Sequence, residues 1–228
     1  MSPYKKLVIG LSGGMDSATL LGILLEQGAE VHCCIFYYGS KHNKYENKAA
    51  KDIIKFYQNQ NMPVFDYKIN ISKVMELFKS NLLLSGGEIP EGHYAEDVMK
   101  QTVVPGRNLI FSSIMAGLAE SIGAQAVGLG VHSGDHHIYP DCREDFIMSL
   151  DSTVLLSSDK AVKIHTPLLF DDKTSILKKG YKCDPPVPYH LTRTCYKDQV
   201  LSCGKCGACS ERLEAFQNIG ILDPIKYE

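Results

Sequence analysis

Six consecutive residues, Ser12-Gly13-Gly14-Met15-Asp16-Ser17, carry the parts of an anion site. Two glycines let backbone N–H groups approach a phosphate, two hydroxyls donate, and one carboxylate stands among them. An aspartate repels a bare polyphosphate, so Asp16 makes chemical sense as the holder of a magnesium ion against the phosphates of ATP. The loop has neither the lysine of a Walker A motif nor the third glycine of a dinucleotide loop. A second constellation lies near the other end of the chain. Cys195, Cys203, Cys206 and Cys209 fall within fifteen residues and supply four soft thiolates, enough to close a tetrahedral zinc site. Gly204 and Gly207 permit the tight turns between them. A ferredoxin-type iron–sulfur cluster is the rival, but its usual pattern places the fourth cysteine downstream with proline after it, whereas here the fourth lies upstream. A zinc ion with all four positions filled by protein has no open site, so its expected role is structural, pinning the Pro-rich tail.

These groups need elements to hold them. Lys6 to Leu11 reads as a strand buried on both faces, and the helical pattern after the glycine loop runs to Gly28, the expected C-terminal cap. Strands are predicted at Glu30 to Gly39, Pro63 to Asn70, Ala124 to His132 and Val162 to Leu169, and helices at 43–59, 108–122, 143–156, 173–179 and 210–219. The stretch from about Ser80 to Pro105 has little periodicity, which points to a functional or mobile segment. Alternating strands and helices predict an α/β fold, a five-stranded parallel doubly wound sheet with a small C-terminal zinc-binding region. The expected division is a nucleotide-binding domain over residues 1–180 and a zinc knuckle with a helix over 181–228.

Composition sets limits on the partners. The chain has 228 residues, 44% of them hydrophobic, enough for one sizeable core with appendages. Its formal net charge, 24 − 26 = −2, excludes charge-driven disorder and gives no dominant nucleic-acid field, so a small-molecule partner is expected and direct nucleic-acid binding is not. The richest apolar stretch, Leu109 to Val131, is broken by Glu120 and Gln125, and no membrane helix is expected. The N-terminal apolar run is too short for a signal segment, which places the expected compartment in the cytoplasm.

Two further motifs precede helices: Val104-Pro105-Gly106-Arg107-Asn108, and Tyr139-Pro140-Asp141-Cys142-Arg143, which follows the fourth predicted strand at its carboxyl edge. Ligands of open α/β folds bind at that edge, within reach of Arg107. Cys142 reads either as a nucleophile beside Arg143 or as a buried structural thiol. His132, Asp135, His136 and His137 invite a metal reading, weakened because adjacent loop histidines seldom face one ion.

The glycine loop resembles the pyrophosphate loop of the N-type ATP pyrophosphatases. Taken with "IPEGHY", "VPGRN", "GVHSGDH", "YPDCR" and "TRTCY…CGKCGAC", in that order, the chain from about Lys6 to Phe216 resembles the 7-cyano-7-deazaguanine synthases of the queuosine and archaeosine pathways. That resemblance implies an adenine nucleotide alpha hydrolase-like fold, a homodimer, and an ATP-dependent ligase that converts 7-carboxy-7-deazaguanine and ammonia to the nitrile. It implies catalytic roles for Asp16, Arg107 and Lys173, the last in "DDKTS", and ATP binding by Ser12, Gly13, Gly14, Asp16 and Ser17. Arg107, Asn108, Asp135, Tyr139, Asp141 and Arg143 become the candidate substrate residues. A deazaguanine presents two adjacent N–H donors that a carboxylate accepts, which makes Asp135 and Asp141 candidates for reading that edge. The sequence departs from the family pattern after the second strand, where Gly39-Ser40-Lys41-His42, followed by Glu46, replaces a Gly-Gln-Arg-His run. Two rival functions remain: another adenylating pyrophosphatase, such as a tRNA-modifying enzyme, and a non-catalytic nucleotide-binding scaffold.

Overall fold

The computed structural model describes residues 2–94 and 96–228, leaving aside the side chain of Asp135. The described strands are β1 (Lys6–Gly10), β2 (Glu30–Tyr37), β3 (Val64–Asn70), β4 (Ala126–Gly128) and β5 (Lys163–His165). They form one parallel sheet in the order β3-β2-β1-β4-β5. The helices are α1 (Met15–Glu26), α2 (Asn43–Gln58), the single turn α3 (Ser72–Met75), α4 (Arg107–Ile122), α5 (Glu144–Leu156), α6 (Lys173–Lys182) and α7 (Gly207–Asn218).

Alternation along the central strands explains why helices cover both faces. Leu7 and Ile9 of β1 and Cys33 and Ile35 of β2 pack with Leu20 and Leu24 of α1, Ile53 of α2 and Ile176 of α6. Val8, Cys34 and Phe36 point the other way, to Met115 of α4 and Leu150 of α5. The doubly wound parallel sheet expected from the alternating pattern is the observed one. From β1 the chain winds outward through β2 to β3, then crosses the other face to β4 on the opposite side of β1. The order of winding therefore reverses between β1 and β4, and it is outside the carboxyl ends of such neighbouring strands that a crevice opens.

The last two strands are shorter than the sequence predicts. A Cβ placed on Gly130 would stand 3.3 Å from the backbone of Asp16 and Ser17, so the chain after β4 passes hard against the start of α1 and must leave the sheet. Pro167 limits β5 by removing a backbone donor. The aperiodic stretch over 80–105 is held by non-local pairing, which is why it shows no period. Lys41 N–H donates to Leu82 O and Leu84 N–H to Gly39 O, while Gly92 N–H donates to Lys205 O beside the cysteines.

α7 begins three residues before the predicted start, because Cys206 serves as its N-cap. The helix is locked by Arg212, which is 0% exposed. Its Nε and Nη2 reach the two oxygens of Asp223 at 2.7 and 2.9 Å, and Nη1 donates to Thr192 Oγ1 at 2.6 Å. A buried pair earns its place only while both partners remain. We expect Asp223→Ala to destabilise the chain by about 3–5 kcal/mol, the cost of an uncompensated buried charge. Urea unfolding checks this, and a loss below about 1 kcal/mol would show that Arg212 finds other compensation.

Candidate active site

A cavity of about 230 Å³ opens at the carboxyl ends of β1 and β4. The glycine loop forms its floor. Gly13 has φ +82°, and a Cβ there would lie 2.6 Å from Glu46 O and 2.8 Å from Ala50 N, so α2 packs where only glycine fits. Ser12 Oγ accepts the N–H of Gly14 at 3.2 Å and pairs with Ser17 Oγ at 3.1 Å. Gly14, the N-cap of α1, brings no side-chain cap to the helix start. The positive end of α1 therefore faces the cavity with small groups at its N-cap and one carboxylate, Asp16, in its first turn.

Asp16, in the first turn of α1, meets Lys173 from the first turn of α6. Lys173 Nζ donates to Asp16 Oδ2 at 2.7 Å, stands 3.1 Å from His132 Nε2, and pairs with Glu211 Oε2 at 3.2 Å. His132 Nε2 lies 3.7 Å from the same Asp16 oxygen. Burial pushes the Asp16 carboxyl upward, but Lys173 and then His132 more than offset it, and the group sits below its ordinary value. It is ionised at neutral pH. Asp16 Oδ1 is buried with no hydrogen-bond partner.

The opposite wall is aromatic. Phe36 and Phe111 stack at 4.0 Å with planes 6° apart, and Tyr38 meets Phe111 edge-on. Arg107 carries its guanidinium 6.0 Å over the Tyr139 ring. Tyr139 Oη in turn contacts Thr102 Oγ1 at 2.9 Å and Tyr196 Oη at 3.3 Å.

Ser12, Gly14, Asp16, Ser17, Arg107, Asn108, Tyr139 and Lys173, all singled out in the sequence, line this one cavity. Gly13 shapes it from behind. Asp141 and Arg143 are not among the lining residues. Asp141 Oδ2 accepts the N–H of Asn108 at 2.9 Å, and Asn108 Nδ2 returns a bond to Asp141 O at 3.0 Å, so the two motifs are tied to each other. Arg143 is exposed and donates from Nε to His136 O at 2.9 Å. The Asp135 side chain lies outside the described residues. Cys142 is buried at the cavity wall, with Asn108 Nδ2 3.3 Å from its sulfur.

Sequence reasoning missed several lining groups. Glu46 and His42, an i,i+4 pair at 3.2 Å, both face the cavity, and their spacing at the start of α2 was the available signal. Lys41, the one cation kept from the altered motif, donates instead to the carbonyls of Gly86 and Gly87. Arg193, inside the "TRTCY" run, donates its N–H to Gly13 O at 2.7 Å, and Glu211 reaches in from α7 with no local pattern to mark it.

Behind Glu211 lie the cysteines. All four sulfurs fall within 4.8 Å of one another and all four residues are buried. Among the described residues no other such group of His, Cys, Asp and Glu is found. S–H donation from Cys206 and then Cys209 pulls the Cys195 thiol far below its ordinary value, while the Cys206 thiol is pushed up to about 12 by that same bond. Four thiolates this close cannot coexist without a cation, and the donor set fits a soft, tetrahedral metal.

Comparison with known proteins agrees with this arrangement. Residues 6–220 match the family described as "Queuosine biosynthesis protein QueC". The chain is 43% identical over 224 residues to a 7-cyano-7-deazaguanine synthase of Pseudoalteromonas atlantica, covering 98% of this chain and 99% of that one. It is 44% identical over 223 residues to the enzyme of that name from Methanoregula boonei, with the same coverage of each. Among solved structures, the U34-tRNA thiolase NcsA from Methanococcus maripaludis, determined with its [4Fe-4S] cluster, superposes with a TM-score of 0.51 at 16% identity. The match covers 94% of this chain and 66% of that one, a likeness of fold alone. No described helix is long and apolar enough to cross a membrane. With the glycine loop, the Asp16–Lys173 pair and the four-cysteine cluster in one fold, and the match running through nearly all of it, the chain belongs to the QueC family of 7-cyano-7-deazaguanine synthases, enzymes of queuosine biosynthesis.

Proposed function

We propose that the chain converts 7-carboxy-7-deazaguanine, ammonia and ATP to 7-cyano-7-deazaguanine through two successive adenylates formed in the one cavity. The observation that carries this reading is the Asp16–Lys173 pair at the mouth of the glycine loop, where an ionised carboxylate keeps one buried oxygen without a partner. That oxygen suits a magnesium ion, which would neutralise phosphate charge when ATP is bound.

A carboxylate is a poor acceptor for ammonia because its leaving group would be oxide. Attack of a carboxylate oxygen on the α-phosphorus forms a new P–O bond and expels pyrophosphate. The loop N–H groups, the helix end and Lys173 steady the departing charge. Ammonia then adds to the acyl carbon and AMP leaves, giving the amide. The amide cannot lose its oxygen as water at neutral pH, so its oxygen attacks a second ATP, pyrophosphate leaves again, and loss of AMP with the nitrogen protons gives the nitrile. Both halves transfer AMP to an oxygen on the same carbon, so one site serves both.

We assign Arg107 to the reacting carboxylate and the aromatic wall to the planar base. Of the carboxylates, Glu46 lines the cavity and Asp141 does not, so Glu46 is proposed to accept the paired N–H donors of the deazaguanine edge, with Asp141 and Arg143 holding the loops in place. The four cysteines, which pack as a cluster of their own, are proposed to bind zinc, and the functional boundary is proposed to fall near residue 180, with Cys183, Val187, Tyr189 and Phe216 tying the tail into the core of the sheet.

Mass spectrometry of products from the acid, ATP and ammonium tests the reaction. The expected outcome is nitrile with two AMP and two pyrophosphate per molecule, and an amide that is itself consumed with ATP. Formation of ADP and phosphate alone, or rejection of the amide, would contradict it. A scaffold would turn over no ATP, and a tRNA-modifying enzyme would not depend on the acid.

Asp16→Asn should lower AMP formation by roughly 100-fold or more, the scale of losing one preorganised charge, while leaving the unfolding midpoint near that of the parent because Lys173 keeps Glu211. Undiminished magnesium-dependent turnover would remove the assigned role. For the cysteines, Cys206→Ala should abolish metal binding and cost several kcal/mol, since the binding energy of a structural site is folding energy. Elemental analysis of the parent finding iron and no zinc would overturn the zinc assignment.

A further inference from the structure

The lysine at the phosphate loop is aimed from outside its own helix. Asp172 caps α6 by accepting the Ser175 N–H at 2.6 Å, which fixes the backbone of Lys173 but leaves its four-carbon side chain to be directed by whatever holds Nζ. Among the described residues these include Asp16 Oδ2 at 2.7 Å, His132 Nε2 at 3.1 Å and Glu211 Oε2 at 3.2 Å. If Asp16 turns its charge to a metal ion, the lysine loses its shortest contact at the moment it must face the phosphates. Glu211 still offers Nζ a carboxylate at that moment.

Glu211 stands on a helix held from several sides. Its side chain is only 15% exposed. Two residues before it is Cys209, and Cys206 is the N-cap of the same helix, so the first turn of α7 carries half of the four-cysteine cluster. The next residue is Arg212, fully buried and clamped to Asp223. Gly134 packs against the other oxygen, where a Cβ would lie 2.9 Å from Glu211 Oε1. A second tie runs in parallel through the backbone, where Arg193 N–H meets Gly13 O while its guanidinium gathers the carbonyls of Lys197, Gln199 and Val200 between the first two cysteines.

We propose that Glu211 is a positioning residue that holds Lys173 toward the phosphates, and that the cysteine knuckle therefore sets the geometry of the adenylation site as well as fastening the tail. The proposal rests on the reading of Lys173 as a phosphate-facing group.

A double-mutant cycle on the full-length protein tests it, with AMP release as the rate, bound metal and unfolding midpoint measured for every variant, and affinity for α,β-methylene ATP measured by calorimetry. Glu211→Gln keeps the shape and the metal; it is expected to lower kcat by roughly 10- to 100-fold, the scale of a misdirected group, with the metal content unchanged. The same substitution in a Lys173→Met background should change kcat and analogue affinity by less than about twofold, because the group it acts through is gone. Glu211→Ala is the second variant, expected to show the same dependence on Lys173. An equal loss from Glu211→Gln in both backgrounds, or parent-like turnover in Glu211→Gln alone, would overturn the proposal while leaving the role of Lys173 intact. Parent-like turnover in Lys173→Met alone would remove the reading of the lysine, and the proposal with it.

Discussion

A cation and two carboxylates share a buried corner between three helices, and the site is organised around that contact. Lys173 joins Asp16 on α1 to Glu211 on α7, with His132 from the loop after β4 beside them. Burying an ammonium or a carboxylate alone costs several kcal/mol, so each of these groups needs an opposite charge beside it. The requirement is geometric as well as energetic. It demands that α1, α6, α7 and the β4 loop converge within a hydrogen bond of one nitrogen atom, and the doubly wound sheet achieves this at the one edge where its winding reverses.

That corner also explains features far from it. Chain segments press against the loop at Gly13 and against the start of α1 at Gly130; a side chain would clash at the first and crowd the second. Arg212 is buried beside Glu211 at the cost of a dedicated partner, Asp223, and a hydroxyl, Thr192. The aperiodic stretch over 80–105 spends its backbone bonds on the β2–α2 connection and on the cysteine segment, closing the aromatic side of the cavity with Tyr94.

What could be read in advance follows from how local each feature is. The glycine loop is one contiguous segment between a strand and a helix, and the sheet declared itself through apolar runs such as Leu7 to Ile9; both were legible. The cysteines were legible because their spacing is the chemistry. Lys173 stood out only through a family resemblance, since a lysine opening a helix has no local mark of its partner 157 residues away. Glu211 had no mark at all: its role comes from the fold bringing α7 against α6. For Asp141 the sequence cannot choose between roles, because an acidic residue beside a turn serves equally as a ligand group and as a backbone acceptor; in the structure one of its oxygens accepts the Asn108 N–H. The strands β4 and β5 were overdrawn because apolar composition does not reveal where the chain must turn aside to pass a helix end.

In the proposed site Lys173 exchanges Asp16 for the phosphates while Glu211 keeps hold of it. A crystal structure with magnesium and α,β-methylene ATP tests this most directly. The account predicts Asp16 on the metal ion and Lys173 Nζ within hydrogen-bond distance of both a phosphate oxygen and Glu211. A nucleotide bound with the Asp16–Lys173 pair still closed, or with Lys173 released from Glu211, would contradict it.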